Sequence, residues 1–498
     1  MATISEKLRA VMTLDPEAPV IDHNETWYSW AQLKSRVDEI SAILAQNKVP
    51  TGGRVGVFLH NRPGHVAAIL AVLATDRCLV TLNPIYPDAV LAGDVETLGA
   101  PVIIGEASDL SRPAIAEAIA RTSPLLIEIA PDLSLAVQKS AAGSQPFERP
   151  VADGVAIEML TSGTTGKPKR VPLSRAAFDA SFAAVAAYEG TRKASDPAKL
   201  RESATLIINP VTHIGGIYGV IGALMAGRRI CLVERFSVEK WSRAVVRHRP
   251  KVAPGVPSAL RMILEANLPA DTFSSLSAII SGTAPLDPRI VDEFLARYDL
   301  PILGNYGATE FTGAVAGWSL KDFRLHWIEK RGAAGRLHHD VTARIVDPET
   351  GEPLPPGSEG LLELKAPQIG DTETWRRTTD RAVLDEDKFL FIRGRADNAI
   401  VRGGFKVHPD DVVRQIEQHG AVREAAVVGI PDERLGEVPA AAIILAKGAK
   451  MPGEAEFREF LKDRLLPYQI PVRFLEVDDV PRTASMKPAV LQIRQLFT

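Results

Sequence analysis

Leu160-Thr161-Ser162-Gly163-Thr164-Thr165-Gly166-Lys167-Pro168-Lys169 is the stretch on which the reading of this chain turns. The apolar Val155, Ile157, Met159 and Leu160 lead into it, so the pattern predicts a strand that runs into a loop. Such a loop suits an anion. Glycines let backbone N–H groups approach and converge on a phosphate, hydroxyls add donors, and lysine adds charge. It is not a Walker A loop, which has four residues between its glycines and a Ser or Thr after the lysine. Here only Thr164 and Thr165 separate Gly163 from Gly166, and Pro168 follows Lys167. A polar surface turn is the competing reading, and the rest of the chain must decide between the two.

On the N-terminal side, helical patterns alternate with short apolar runs. Trp30 to Gln46 carries Leu33, Val37, Ile40, Ile43 and Leu44 at helical spacing, and Arg54 to Leu59 reads as a strand. Pro63 to Ala74 and Ser111 to Arg121 read as helices, and Cys78 to Leu82 and Pro101 to Ile104 as strands. Strands separated by helices pair in parallel with helices on their faces, so the fold class is α/β. On the C-terminal side a second α/β set follows: Thr205 to Asn209, Ile217 to Met225, Arg229 to Val233 and Ala278 to Ser281. From about 332 to 393 the texture changes to short strands and turns, a small β-rich unit. The remainder reads as a small α+β domain, with strands at Ala425 to Ile430 and Ala440 to Leu445 and helices near Pro409 to Gln418 and Glu454 to Leu465. The expected division is a large N-terminal domain over 1–394, including the β-rich unit, and a mobile C-terminal domain over 395–498.

With 498 residues, 46% apolar and 24% charged, the chain can bury a large core divided among two to four domains. A formal net charge of −3 gives no reason to expect a nucleic-acid partner or an anionic membrane surface. Cys78 and Cys231 form neither a disulfide framework nor a metal motif and read as core residues in a reducing compartment. The N-terminus lacks the apolar run of a secretory signal. His65 to Leu82, the best membrane candidate, is broken by Thr75-Asp76-Arg77, so no membrane span and a cytoplasmic location are expected.

The loop resembles that of the adenylate-forming superfamily, which includes acyl-CoA and aryl-CoA synthetases, with Arg170 in place of a final glycine. Further resemblances follow in order. Ser281-Gly282-Thr283-Ala284-Pro285-Leu286 is similar to the segment bordering adenine, with Thr283 replacing a glycine. Asn305-Tyr306-Gly307-Ala308-Thr309-Glu310 is similar to the family's YGxTE motif. The resemblance implies that Tyr306 stacks on adenine, Thr309 contacts the α-phosphate and Glu310 binds Mg²⁺, with Thr161 as a second metal-side residue. Thr161, Ser162, Gly163, Thr164, Thr165, Gly166 and Lys169 would hold ATP phosphates, together with the adenine-side Gly282, Thr283, Ala284, Pro285, Asn305 and Gly307. Asp380 would bind ribose, with Thr379 in place of the family's glycine, and Arg395 would reach ribose or phosphate. Asp397 would be the hinge, and Gly403 and Gly404 would border CoA. Lys487, in Pro481-Arg482-Thr483-Ala484-Ser485-Met486-Lys487, would contact both carboxylate and α-phosphate, with Met486 in place of glycine. His213, a gate beside the carboxylate, joins Gly215, Val256, Gly304, Asn305 and Phe311 as the expected acid pocket.

The implied reaction is ATP-dependent carboxylic acid:CoA ligation through an acyl-adenylate, with ATP, Mg²⁺ and CoA as partners of the acid. An aromatic or medium-chain acid is expected. Three alternatives stay open at this stage: an amide synthetase that passes the acyl group to an amine, a stand-alone adenylation enzyme serving a carrier protein, and an inactive nucleotide-binding homologue. The four glycine replacements motivate the last.

Overall fold

Every residue of the helix Pro63–Ala74 is buried, which makes it the axis of the first core. Proline at its first position supplies a preset φ and lacks the N–H that would have no partner there. It packs between the strand Arg54–Phe58 and the helices Ile4–Val11 and Trp30–Gln46, the last begun by a reciprocal Ser29–Gln32 capping box. A helix apolar on all sides is thus enclosed by protein. Among the described residues no helix is long and apolar enough to cross a membrane. The structure, a computed structural model, describes residues 3–130, 133–138, 151–161, 169–189, 198–370, 372–483 and 488–497.

The chain divides into two compact units. One is Met1–Glu329 with His338–Val341 and Ala366–Thr372; the other is Lys330–Leu337, Thr342–Lys365 and Glu373–Thr498. In the first unit one sheet is ordered Leu135–Gln138, Leu125–Ile129, Val102–Gly105, Arg54–Phe58, Cys78–Leu82, Val155–Thr161, Lys169–Ser174. Its interior pairs are parallel and its two outer pairs antiparallel. A second sheet is ordered Arg201–Ile207, Arg228–Leu232, Pro19–His23, Thr26–Ser29. In a third set Val252–Pro254, Ala278–Ser281 and Ile302–Ala308 run parallel, and Gly313–Gly317 turns back on the last of them. The expected α/β architecture is present, and the strand expected at Thr205 to Asn209 runs earlier, over Arg201–Ile207.

The second unit contains an antiparallel ribbon, Phe389–Arg395, Arg376–Leu384, Glu359–Lys365, Thr342–Val346. It also holds the long hairpin Val422–Asp432 and Gly436–Leu445, with Arg473–Glu476 parallel to the latter. Most of the β-rich segment groups by contacts with the C-terminal segment in this unit. Arg381 donates to Asp411 at 2.9 Å, and a Cβ on Gly394 would lie 2.3 Å from Asp410 Oδ2, so these pieces are in intimate contact. Arg376–Leu384 was not expected as a strand. Its first residues are polar and largely exposed, and the two-residue apolar alternation is absent.

Candidate active site

The ends of the phosphate loop are fixed by a hairpin. Val155–Thr161 and Lys169–Ser174 pair antiparallel, with Thr161 opposite Lys169 and Leu160 opposite Arg170. Ser162, Gly163, Thr164, Thr165 and Gly166 lie outside the described residues, as does the side chain of Thr161. Below the loop, Arg54 donates to Glu158 from Nε at 3.0 Å and Nη2 at 2.8 Å. Arg170 forms a two-pronged ion pair with Asp94 of the helix Asp88–Leu98 and reaches the Glu158 carbonyl at 3.4 Å. Arg170 therefore ties the hairpin to a neighbouring helix. Burial pushes the Asp94 carboxyl above its ordinary range, against the pull of Arg170.

Beside this unit's third sheet, the expected nucleotide and acid residues stand at the carboxyl ends of three parallel strands. Val256 follows Val252–Pro254, Gly282 to Pro285 follow Ala278–Ser281, and Asn305 to Gly307 lie toward the end of Ile302–Ala308. Ligands of open parallel sheets bind at this end. Gly255 N donates to Ile280 O at 2.9 Å, which sets Val256 beside the second of these strands. A Cβ on Gly282 would stand 2.2 Å from Asn305 Oδ1, and one on Gly317 would stand 3.4 Å from Asn305 Cβ. Asn305 is thus seated between two glycines. Thr283 has φ 71°, a left-handed backbone that is costly for a β-branched residue.

Thr309–Phe311 is a single 3₁₀ turn that presents an exposed Glu310 and buries Phe311. Tyr306 is half-buried, and its ring lies 6.0 Å from that of Phe311, tilted by 60°. The buried Gln368 holds the turn, donating to Phe311 O at 2.9 Å and Ala314 O at 3.1 Å. Glu310 belongs to no cluster of three potential metal ligands among the described residues, so it offers a dication one carboxylate. That fits Mg²⁺, which keeps several waters and takes its other ligands from substrate phosphates.

His213 is the residue preceding the helix Ile214–Met225, at the end of an Asn209-Pro210 turn. Asn61 organises this turn. Its Nδ2 donates to Asn209 O at 3.1 Å and Val233 O at 3.2 Å, and its Oδ1 accepts Val211 N at 2.9 Å. A Cβ on Gly216 would fall 2.2 Å from Pro210 O, and one on Gly215 would lie 3.2 Å from Asn209 Nδ2 and 3.8 Å from Thr283 Cγ2. Gly215 and Asn305, expected on the acid side, therefore border Gly282-Thr283, expected on the adenine side, within one unit. Gln368, Asn61 and Asp94 were not singled out in the sequence. Only Asn61 carries a signal, a polar turn between a strand and a proline-led helix.

In the second unit, Asp380 lies opposite Arg395 on neighbouring strands. Arg395 donates to Asp397 from Nε at 2.9 Å and Nη2 at 2.7 Å, and to Thr379 Oγ1 at 2.7 Å. Thr379, another glycine replacement, is thus a partner of the expected ribose arginine. Gly403 and Gly404, with φ 56° and 89°, form the two-residue turn between Ile400–Arg402 and Phe405–Val407. Two positive φ values in a hairpin of this length are the geometry glycine serves best. Lys487 and Met486 lie outside the described residues.

Residues 8–371 match the AMP-binding enzyme family and residues 415–487 its C-terminal domain, and the chain belongs to this family of AMP-binding enzymes. A feruloyl-CoA synthase of Amycolatopsis sp is 28% identical over 97% of each chain. A 4-coumarate–CoA ligase of Nicotiana tabacum is 26% identical over 93% of this chain and 88% of its own. The fatty acid–acyl-carrier-protein ligase ScoC of Streptomyces coeruleorubidus is 31% identical over 69% of this chain and 68% of its own. The o-succinylbenzoate CoA synthetase MenE of Bacillus subtilis, in complex with its acyl-adenylate intermediate, is 25% identical with a TM-score of 0.79 over 98% of this chain and 97% of its own. ATP-bound MatB of Rhodopseudomonas palustris shares the fold, with a TM-score of 0.84, 24% identity and coverage of 100% and 99%.

Proposed function

We propose that this chain, an ATP-dependent acid:CoA ligase, takes an aromatic or medium-chain carboxylic acid through an acyl-adenylate to its CoA thioester. The observation that carries this reading is the row of residues at the ends of three adjacent parallel strands, where Val256, Gly282 to Pro285 and Asn305 to Gly307 bring apolar and polar groups to one edge. Relatives named for feruloyl and 4-coumaroyl substrates support an aromatic acid. CoA is favoured over a carrier protein or an amine because the feruloyl-CoA synthase matches along 97% of both chains, whereas the carrier-protein ligase matches 69% of this one.

In the first half-reaction a carboxylate oxygen attacks the α-phosphorus and the bond to the pyrophosphate oxygen breaks. We assign Tyr306 to the adenine face, Thr309 to the α-phosphate, and Asp380 with Arg395 to the ribose. His213, Gly215, Val256, Gly304, Asn305 and Phe311 hold the acid. Glu310 would hold Mg²⁺, which when bound would supply charge neutralisation for the pyrophosphate. Lys487 steadies the charge that develops between carboxylate and phosphate, a contribution that depends on a cation already in place. In the second half-reaction the CoA sulfur attacks the acyl carbon, the thiol proton is lost, and AMP leaves. We place the turning point between the two steps at Asp397, with 395–498 moving as the smaller domain and Gly403-Gly404 approaching the acyl group. A cytoplasmic location is supported by Cys78 and Cys231, both free thiols.

Mass spectrometry of the protein with Mg-ATP and a mixed panel of acids, with CoA, with an amine and with neither, tests this reading. A thioester formed only with CoA is the expected result, and its acyl mass identifies the acid class. An amide without a thioester would replace the proposal.

A further inference from the structure

Away from the nucleotide residues, the second sheet brings three chemically different ligand atoms together. Asp22 on Pro19–His23 lies directly opposite Cys231 on the parallel strand Arg228–Leu232, so both side chains leave the sheet on the same face. His248, the last residue of the helix Val238–His248, meets them there, its Nε2 2.7 Å from Asp22 Oδ2. Arg249, with φ 46°, ends that helix. The carboxylate oxygen, thiol sulfur and imidazole nitrogen lie within 4.8 Å of one another.

Two features separate this cluster from an ordinary buried hydrogen bond. The Asp22 side chain is 3% exposed, yet its Oδ1 has no hydrogen-bond partner, and an orphan carboxylate oxygen in such a place carries a desolvation cost. The site is also walled. The Trp27 ring meets the His248 ring edge-on at 5.5 Å, and Arg247 stands 3.5 Å from Asp22 Oδ2 with its side chain one-third exposed, at the margin.

We propose that Asp22, Cys231 and His248 form a binding site for a borderline-soft divalent cation, zinc being the natural occupant. One carboxylate and one thiolate neutralise the dication, imidazole adds a neutral donor, and water completes a tetrahedron. Binding releases the thiol proton and requires the His248 proton to sit on Nδ1, with Nε2 giving its lone pair to the metal. Thiolate and imidazole select against Mg²⁺, so the site stays distinct from the magnesium of the reaction. Its place in the fold gives the metal a structural role. It would pin Arg228–Leu232 to the helix Val238–His248 just before Val233, whose carbonyl is one of the two that Asn61 binds.

The test uses the untagged full chain, stripped with a chelator and dialysed against zinc in the presence of excess Mg²⁺. Roughly one equivalent of zinc per chain is expected by elemental analysis, with a raised thermal midpoint. Cobalt in its place should give a thiolate-to-metal charge-transfer band and tetrahedral d–d bands. Cys231→Ser should lose the charge-transfer band, and His248→Gln should weaken cobalt binding at least about tenfold. Zinc below about a tenth of an equivalent in the wild-type chain would overturn the site whatever the variants do. A charge-transfer band that survives Cys231→Ser would likewise overturn it.

Discussion

Arg395 and Asp397, two positions apart, close a two-point ion pair, with Nε on Oδ1 at 2.9 Å and Nη2 on Oδ2 at 2.7 Å. The pair joins the arginine assigned to the nucleotide to the aspartate assigned as pivot. On these proposed roles, turning at Asp397 would rearrange the arginine assigned to ribose or phosphate. Asp397→Asn keeps the side chain's size and removes its charge. Adenylation should be nearly unchanged while thioester formation slows about tenfold, the effect of roughly 1.4 kcal/mol on the turning step. Pyrophosphate release and thioester production, measured separately, decide this, and equal loss in both would remove Asp397 from the role of pivot.

Lys487→Ala should lower adenylation about 100- to 1,000-fold, the scale seen when one fixed group at a developing charge is deleted. ATP affinity, read by calorimetry, should change little. Unimpaired pyrophosphate release in the variant would reassign the lysine.

Arg170→Gly leaves Asp94 buried without its cation. A loss of about 3 kcal/mol in unfolding free energy is expected at neutral pH. Asp94 already titrates above its ordinary range through burial, and losing Arg170 moves it further up. For a carboxyl raised in the folded state, the protonated form folds better. The variant's deficit should therefore be smallest below the ordinary aspartate range and grow as pH rises through the raised folded value. A deficit independent of pH would argue against an uncompensated Asp94 charge. Asp94→Asn in the same background should recover much of the loss.

Glu106 gives the opposite sign. Burial pushes its carboxyl up, but hydrogen bonds from His65 and Arg62 outweigh burial and hold it down at about 2. A depressed folded value contributes stability that is present above the unfolded carboxylate value and is lost as pH falls through about 2. Glu106→Gln should consequently be less stable than wild type at neutral pH, and the gap should close in acid. Denaturant titrations across that range check the trend.

Thr283→Gly relieves an exposed left-handed β-branched residue and should raise unfolding free energy by about 1 kcal/mol. A loss of stability would mean that the threonine side chain makes up for its backbone strain. Comparing KM for ATP in the same variant tells whether the strained shape also serves adenine.

Much of this architecture was legible because periodicity survives burial. Trp30–Gln46, Pro63–Ala74 and Cys78–Leu82 all formed where their apolar spacing placed them. The strand Arg376–Leu384 was not legible, since its polar residues bond sideways instead of alternating inward. The Tyr306 and His213 neighbourhoods could be anticipated from local motifs. Gln368 could not, because it acts on a turn distant in sequence, and Asn61 only as a turn residue, since the carbonyls it meets come from other segments. Arg170 and Thr379 were noticed as departures, but their roles depend on Asp94 and Arg395, whose placement belongs to the tertiary fold.

Of the residues proposed to hold the acid, Val256 follows a strand end and Gly215 lies in the first turn of a helix, whereas Gly304 and Phe311 are buried. On that assignment, a change at the half-buried Val256 would reshape the acid end with little cost to the core. Asn305 marks where that freedom is narrowest. Gly282 stands against its oxygen and Gly317 against its Cβ, so a bulkier residue at 305 has to arrive together with movement of the backbone on either side. Diversification of substrates in descendants of this chain would proceed first at Val256, and at 305 only through coupled steps.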